Sequence, residues 1–171
     1  MMVARAIAAS MALLIASSAQ ALVVRHDVDD REFLALARDY PSIVALRPAD
    51  APQNFNGMGT LIHPRWVLTA AHVADSLHAG DLAEVHGEIV VIDAVVPSPG
   101  WQGFNRREDY LRDIALVRLK SAVTRVAPAR LYVRDDEEGC VATFVGRGSV
   151  GTGLTGPLSF RPELRAVTNR V

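Results

Sequence analysis

Two polar residues stand at the ends of apolar runs and could together move a proton. His72 closes Trp66-Val67-Leu68-Thr69-Ala70-Ala71-His72, and Asp113 opens Asp113-Ile114-Ala115-Leu116-Val117-Arg118-Leu119. A histidine whose pKa lies near the working pH can act as a general base. A carboxylate that accepts its Nδ1–H fixes the tautomer and stabilises the imidazolium. Ala70 and Ala71 are small and leave the imidazole free to face a cleft. A buried Asp113 needs a donor, because an unpaired buried carboxylate is costly, and His72 is a candidate. Spacing alone does not separate this pairing from a satisfied surface histidine and an ordinary turn aspartate.

The other chemistry-bearing patterns are weaker. Gly146, Gly148 and Gly151 spell G-x-G-x-x-G after the apolar run Val141 to Val145. A dinucleotide site needs a helix next, but Thr152-Gly153-Leu154-Thr155-Gly156-Pro157 follows, so the stretch reads as a flexible hairpin loop. His72, His78 and His86 are spaced by six and eight residues, which fits no helical metal pair. Asp135-Asp136-Glu137-Glu138 lacks the alternation of a calcium loop and reads as a solvated charge run. Cys140 is the only cysteine, so no intramolecular disulfide can form. Its acidic neighbours disfavour a thiolate, and it reads as a small buried hydrophobe. No cofactor and no metal are implied.

Positioning His72 and Asp113 requires a packed scaffold, and the composition allows one. Of 171 residues, 50% are hydrophobic and 22% charged, and the formal net charge is −1. That balance gives no basic surface for nucleic acid or for an anionic membrane. Val28 to Tyr40 suits a short helix, with Asp30 as its cap, Phe33, Leu34 and Ala37 on one face, and Pro41 as its end. The remaining signals are strands: 42–46, 58–62, 66–70, 88–96, 114–119, 140–145 and 164–167. Trp101 to Leu111 reads as a polar loop. Short strands punctuated by Gly and Pro predict an all-β chain closed into a barrel or sandwich.

The first residues read as a targeting signal. Arg5 precedes the apolar run Ala6 to Ala16, and Ala19-Gln20-Ala21 fits a small-residue cleavage site. The run is shorter than the ~20 residues that span a bilayer. Residues 1–21 are therefore expected to be a signal peptide cleaved after Ala21, which makes the mature chain secreted or periplasmic with no membrane attachment.

Thr69-Ala70-Ala71-His72 after Trp66-Val67-Leu68 resembles the histidine signature of the trypsin/chymotrypsin-like serine peptidases. Asp113-Ile114-Ala115-Leu116 with Arg118-Leu119 resembles their aspartate signature, and the order His before Asp matches. Gly59-Thr60-Leu61-Ile62, Val95-Val96-Pro97 with Gly100-Trp101, and Cys140-Val141-Ala142-Thr143 leading to Gly146-Arg147-Gly148 are weaker likenesses. The similarity runs from about Ser42 to Val171.

The resemblance implies a double antiparallel β-barrel with the site between the barrels. The expected division is an N-terminal segment 22–41 and a peptidase domain 42–171. The first barrel would occupy about 42–125 and the start of the second about 126–171. It further implies His72 as general base and acid, Asp113 as its orienter, and peptide-bond hydrolysis on polypeptide substrates through an acyl-enzyme.

The family's nucleophile segment, Gly-Asp-Ser-Gly-Gly, is absent from the 171 residues. The serine normally lies roughly 90 residues past the aspartate, and 58 residues follow Asp113 here. Ser121, Ser149 and Ser159 lack the glycine pattern, so none inherits the role. The expectation is a secreted, bacterial-type member that is C-terminally truncated, with an incomplete second barrel and no activity of its own. The alternative is a non-catalytic homologue that binds a peptide or partner. The disulfide that usually flanks the histidine loop is replaced, at Met58 and Val73, by residues that cannot form it. No Ile-Val-Gly-Gly-like activation site follows Arg25, so activation by N-terminal insertion is not expected.

Overall fold

The computed structural model describes residues 23–104 and 107–171; the expected signal peptide lies outside the described residues. In chain order the elements are β1 (Val23–Val24), α1 (Asp30–Ala37), β2 (Ile43–Arg47), β3 (Gly57–His63), β4 (Trp66–Thr69), α2 (Ala71–Ala74), β5 (Leu82–Val85), β6 (Glu88–Pro97), a 3-10 turn (Arg107–Arg112), β7 (Ala115–Leu119), β8 (Val141–Thr152) and β9 (Gly156–Arg170).

Six strands close into an antiparallel barrel in the order β2-β3-β4-β7-β6-β5, and β5 returns to pair with β2. The residues explain the closure. Leu61, Val67, Ala83 and Val85, Val90 and Ile92, and Val117 and Leu119 alternate along their strands and are all buried, so each strand sends one face inward. One cluster unites them with Val44, Leu46 and Leu77, and Val123 and Val126 cap it after β7.

The second sheet holds three strands in the order β1-β8-β9, with β1 parallel to β8. It is the opening of a second barrel, as the all-β, incomplete-double-barrel reading expected. α1 packs on β9 of this sheet. Arg165, 6% exposed, donates from Nε and Nη2 to Asp30 at 2.7 and 2.8 Å. This bidentate pair holds the Asp30 carboxyl below its ordinary pKa.

The structure corrects several local expectations. Asp29, not Asp30, caps α1, accepting from the Arg31 N–H, which frees Asp30 for Arg165. The helix ends at Ala37, because the turn bonds from Asp39 and Tyr40 to Leu36 and Ala37 carry the chain away before Pro41. β5 was not anticipated; Leu82-Ala83-Glu84-Val85 is too short and mixed to stand out without its partners β2 and β6. Gly146, Gly148 and Gly151 lie inside β8, at its register irregularities, rather than in a loop. The turn is 153–155. Cys140 is exposed, with Sγ–H directed to the Asp136 carbonyl at 3.3 Å.

Val73 is met by Gly57, not Met58: a Cβ on Gly57 would sit 2.5 Å from Val73 Cγ1. Strand alternation turns Met58 the other way, where its sulfur accepts from the Arg147 N–H.

Candidate active site

The register of two neighbouring strands brings His72 and Asp113 together. β4 and β7 are antiparallel with Thr69 opposite Ala115. The chain leaving β4 and the chain entering β7 therefore share one end of the barrel. His72 is three residues past Thr69 and Asp113 two before Ala115. Thr69 is anchored by its hydroxyl, which donates to the Met58 carbonyl at 2.7 Å. Ala70 is extended, and α2 begins at once.

The alanines of the histidine signature have a packing reason. Ala71 and Ala74 are buried against Ala115, with Val95 and Trp101 alongside. Larger side chains there would lift α2 off the barrel and move His72 with it. Asp113 then grips α2 at two points. Its Oδ1 accepts the His72 backbone N–H at 2.9 Å, and its Oδ2 lies 2.8 Å from His72 Nδ1. An ionised carboxylate only accepts, so Nδ1 carries the proton, and in the neutral ring Nε2 then keeps its lone pair. Backbone and ring are thus oriented by one carboxylate, as a general base requires.

Asp113 is half-buried rather than buried, with its side chain 20% exposed, and the His72 ring is 51% exposed. The pair is set at a surface, where the imidazole can be reached.

An aromatic group borders the ring, within the 101–111 stretch whose composition reads as a polar loop. Phe104 lies 5.5 Å from the His72 ring centre. It meets Trp101 edge-on at 5.1 Å and stacks on Tyr110 at 4.8 Å. Trp101 Nε1 donates to both oxygens of Asp75 at 3.0 Å. Asp75 was not a sequence candidate; 26 residues separate it from Trp101, and no local pattern links them.

Ser149 and Ser159 lie on the paired strands β8 and β9, and Ser121 is exposed just after β7. Asp135 to Glu138 are exposed. Clefts of about 520, 550 and 570 Å³ run along the N-terminal segment and the hairpin, and neither His72 nor Asp113 lines any of these three.

Comparison with known proteins bears on this arrangement. The chain is similar to complement C1s subcomponent of Sus scrofa, 37% identical over 83 residues, covering 42% of this chain and 12% of that protein. It is similar to the thrombin-like enzyme flavoxobin of Protobothrops flavoviridis, 31% identical over 119 residues, covering 66% of this chain and 45% of that protein. It also resembles human chymotrypsin-like elastase family member 1, 33% identical over 113 residues, covering 60% of this chain and 43% of that protein. The chain spans less than half the length of these curated relatives.

Among solved structures it shares its fold with neuropsin, described as a serine protease expressed in the limbic system of mouse brain. The TM-score is 0.63 at 22% identity, covering 77% of this chain and 60% of that one. The trypsin family model matches residues 37–166, well over half of the chain and inclusive of the barrel, α2 and Asp113; the chain belongs to the trypsin family.

Proposed function

We propose that His72 is the general base and acid of a serine endopeptidase and that Asp113 is its orienter. The single observation that supports this reading most is the two-point grip of Asp113 on the His72 backbone and ring. In the reaction so written, His72 Nε2 takes the proton of a serine hydroxyl as it attacks the scissile carbonyl. It then returns that proton to the leaving amine. Asp113 stabilises the imidazolium between the two steps. The substrate is a polypeptide, and the chemistry uses no cofactor.

The serine belongs to a Gly-Asp-Ser-Gly-Gly segment that the 171 residues do not contain. This stretch therefore carries the base and its orienter without the nucleophile and is inactive by itself. Residues 1–21 direct export to a secreted or periplasmic location, and residues 42–171 form the peptidase portion. Among the described residues no helix is long and apolar enough to cross a membrane.

The test is to read the DNA beyond codon 171 in all frames and express the chain with any downstream Gly-Asp-Ser-Gly-Gly segment restored. The restored protein should hydrolyse peptide substrates, and His72→Ala should lower kcat by about 10³-fold or more. Activity untouched by His72→Ala would refute the role given to His72. The second reading is a non-catalytic homologue that binds peptides. It would be supported by stable monomeric expression of this chain with no such segment downstream.

A further inference from the structure

α2 is one turn of four residues. A single helical turn is unstable by itself, because nucleation fixes several backbone angles for one hydrogen bond. Ala70, at its N-terminal flank, makes no side-chain cap hydrogen bond. The geometry of His72 therefore depends on what tethers the turn from outside. Asp113 tethers its start. The residue that follows its end is Asp75, whose carboxylate takes the Trp101 indole N–H symmetrically, at 3.0 Å to each oxygen.

Trp101 is itself fixed. Its backbone N–H donates to the Ser98 carbonyl at 3.1 Å, and the Ser98 N–H donates to Ile114 at 2.8 Å. Gly100 turns the chain at φ +80, and Arg112 closes the turn through the Pro99 carbonyl at 3.1 Å. The indole body packs on the Ala71, Ala74 and Ala115 cluster, and its edge contacts Phe104, which lies against the His72 ring. The contacts run from Asp75 through Trp101 and Phe104 back to His72, three residues before Asp75 on the same turn.

We infer that Asp75 is a positioning residue for His72, acting through Trp101: their hydrogen bond locks the far end of α2 to the 98–104 loop and sets Phe104 against the imidazole. The inference takes its functional weight from the reading of His72 as general base. The lock itself can be measured without turnover.

The experiment is NMR of the 171-residue chain with three variants. Trp101→Phe removes the indole donor and keeps the Asp75 charge. Asp75→Ala removes the acceptor. Asp75→Asn keeps an acceptor oxygen and removes the charge. The His72 ring-proton resonances lie in the ring-current field of Phe104, and the His72 amide is protected by Asp113. Trp101→Phe and Asp75→Ala should both shift the ring resonances and speed His72 amide exchange by about tenfold. Asp75→Asn should stay close to the parent.

Unmoved His72 signals in Asp75→Ala, with core methyl resonances intact, would overturn the inference. So would Asp75→Asn behaving like Asp75→Ala, which would make the effect one of charge. Asp75 is exposed, so its variants report even if Trp101→Phe fails to fold. Loss of the general-base reading, by an active His72→Ala enzyme, would leave these signals unchanged and is thereby told apart from failure of the lock.

Discussion

In the closed barrel Val44, Leu46, Leu61, Val67, Val85 and Val117 have no exposed surface, whereas in the β8–β9 hairpin Phe144, Leu158 and Phe160 are 46%, 71% and 54% exposed. Both regions are rich in strand-forming residues. The difference is closure. Six strands that return on themselves give every inward face a partner and leave no edge, while a hairpin flanked by α1 and the two-residue strand β1 has one face to pack. The buried members of the hairpin are accordingly few: Arg165, Ala166 and Gly151. The barrel is held by apolar volume, and the hairpin by a small number of specific contacts. The His72–Asp113 pair stands wholly on the barrel side, so it inherits the more rigid of the two supports.

Three experiments would break or sharpen this contrast. The largest effect is expected in the barrel. Leu61→Ala should destabilise the fold by about 3 kcal/mol, because the cavity cannot collapse inside a closed sheet. Calorimetry should then show a melting point lower by roughly 6–12 °C. A loss under about 1 kcal/mol would mean that the barrel is far looser than its burial indicates.

Next comes the clasp between α1 and β9. Asp30→Ala leaves the buried Arg165 guanidinium short of its principal partner and should weaken the hairpin by about 2 kcal/mol. Hydrogen exchange should quicken across 156–170 while the barrel amides keep their protection. The same contact gives a pH signature. Asp30 has a lowered pKa because Arg165 hydrogen-bonds its carboxylate, so its stabilisation is fully present above the unfolded value, about 4. It is lost as pH falls through the lower, folded value. Exchange in the hairpin, corrected for intrinsic rates, should therefore rise on acidification below about pH 4 before the barrel responds. Simultaneous opening of both regions would count against separate supports.

The smallest effect belongs to the open face. Phe160 meets the Phe55 ring at 6.1 Å, so Phe160→Ser should cost about 1 kcal/mol and should reduce self-association in sedimentation, since exposed apolar strand residues promote edge and face pairing. A loss comparable to that of Leu61→Ala would show that Phe160 is covered in solution.

The elements legible beforehand were those with a mainly apolar run: β2, β3, β4, β6 and β7 fall close to where their residues predicted them. β5 was missed because alternation over four residues is too weak a signal. The cap was misplaced by one residue because Asp29 and Asp30 are equivalent as sequence; only the position of Arg165, 135 residues away, decides which of them pairs with a guanidinium and which is left to cap the helix. The aromatic group around His72 was hidden for a related reason. Trp101, Phe104 and Tyr110 are spread among Gln, Asn, two Arg, Glu and Asp, so average polarity masked three rings that meet in space.

By itself the sequence determined the candidate pair and the sheet that carries it, because alternating apolar residues encode a buried strand face locally and two short signatures flank such strands. Only the tertiary structure decided how the pair is held. The bonds from the His72 backbone N–H and Nδ1 to Asp113, the Trp101–Asp75 lock and the clasp at Arg165 each join residues at least 26 apart. Contacts at that separation follow from strand register and barrel closure, which no local pattern of residues records.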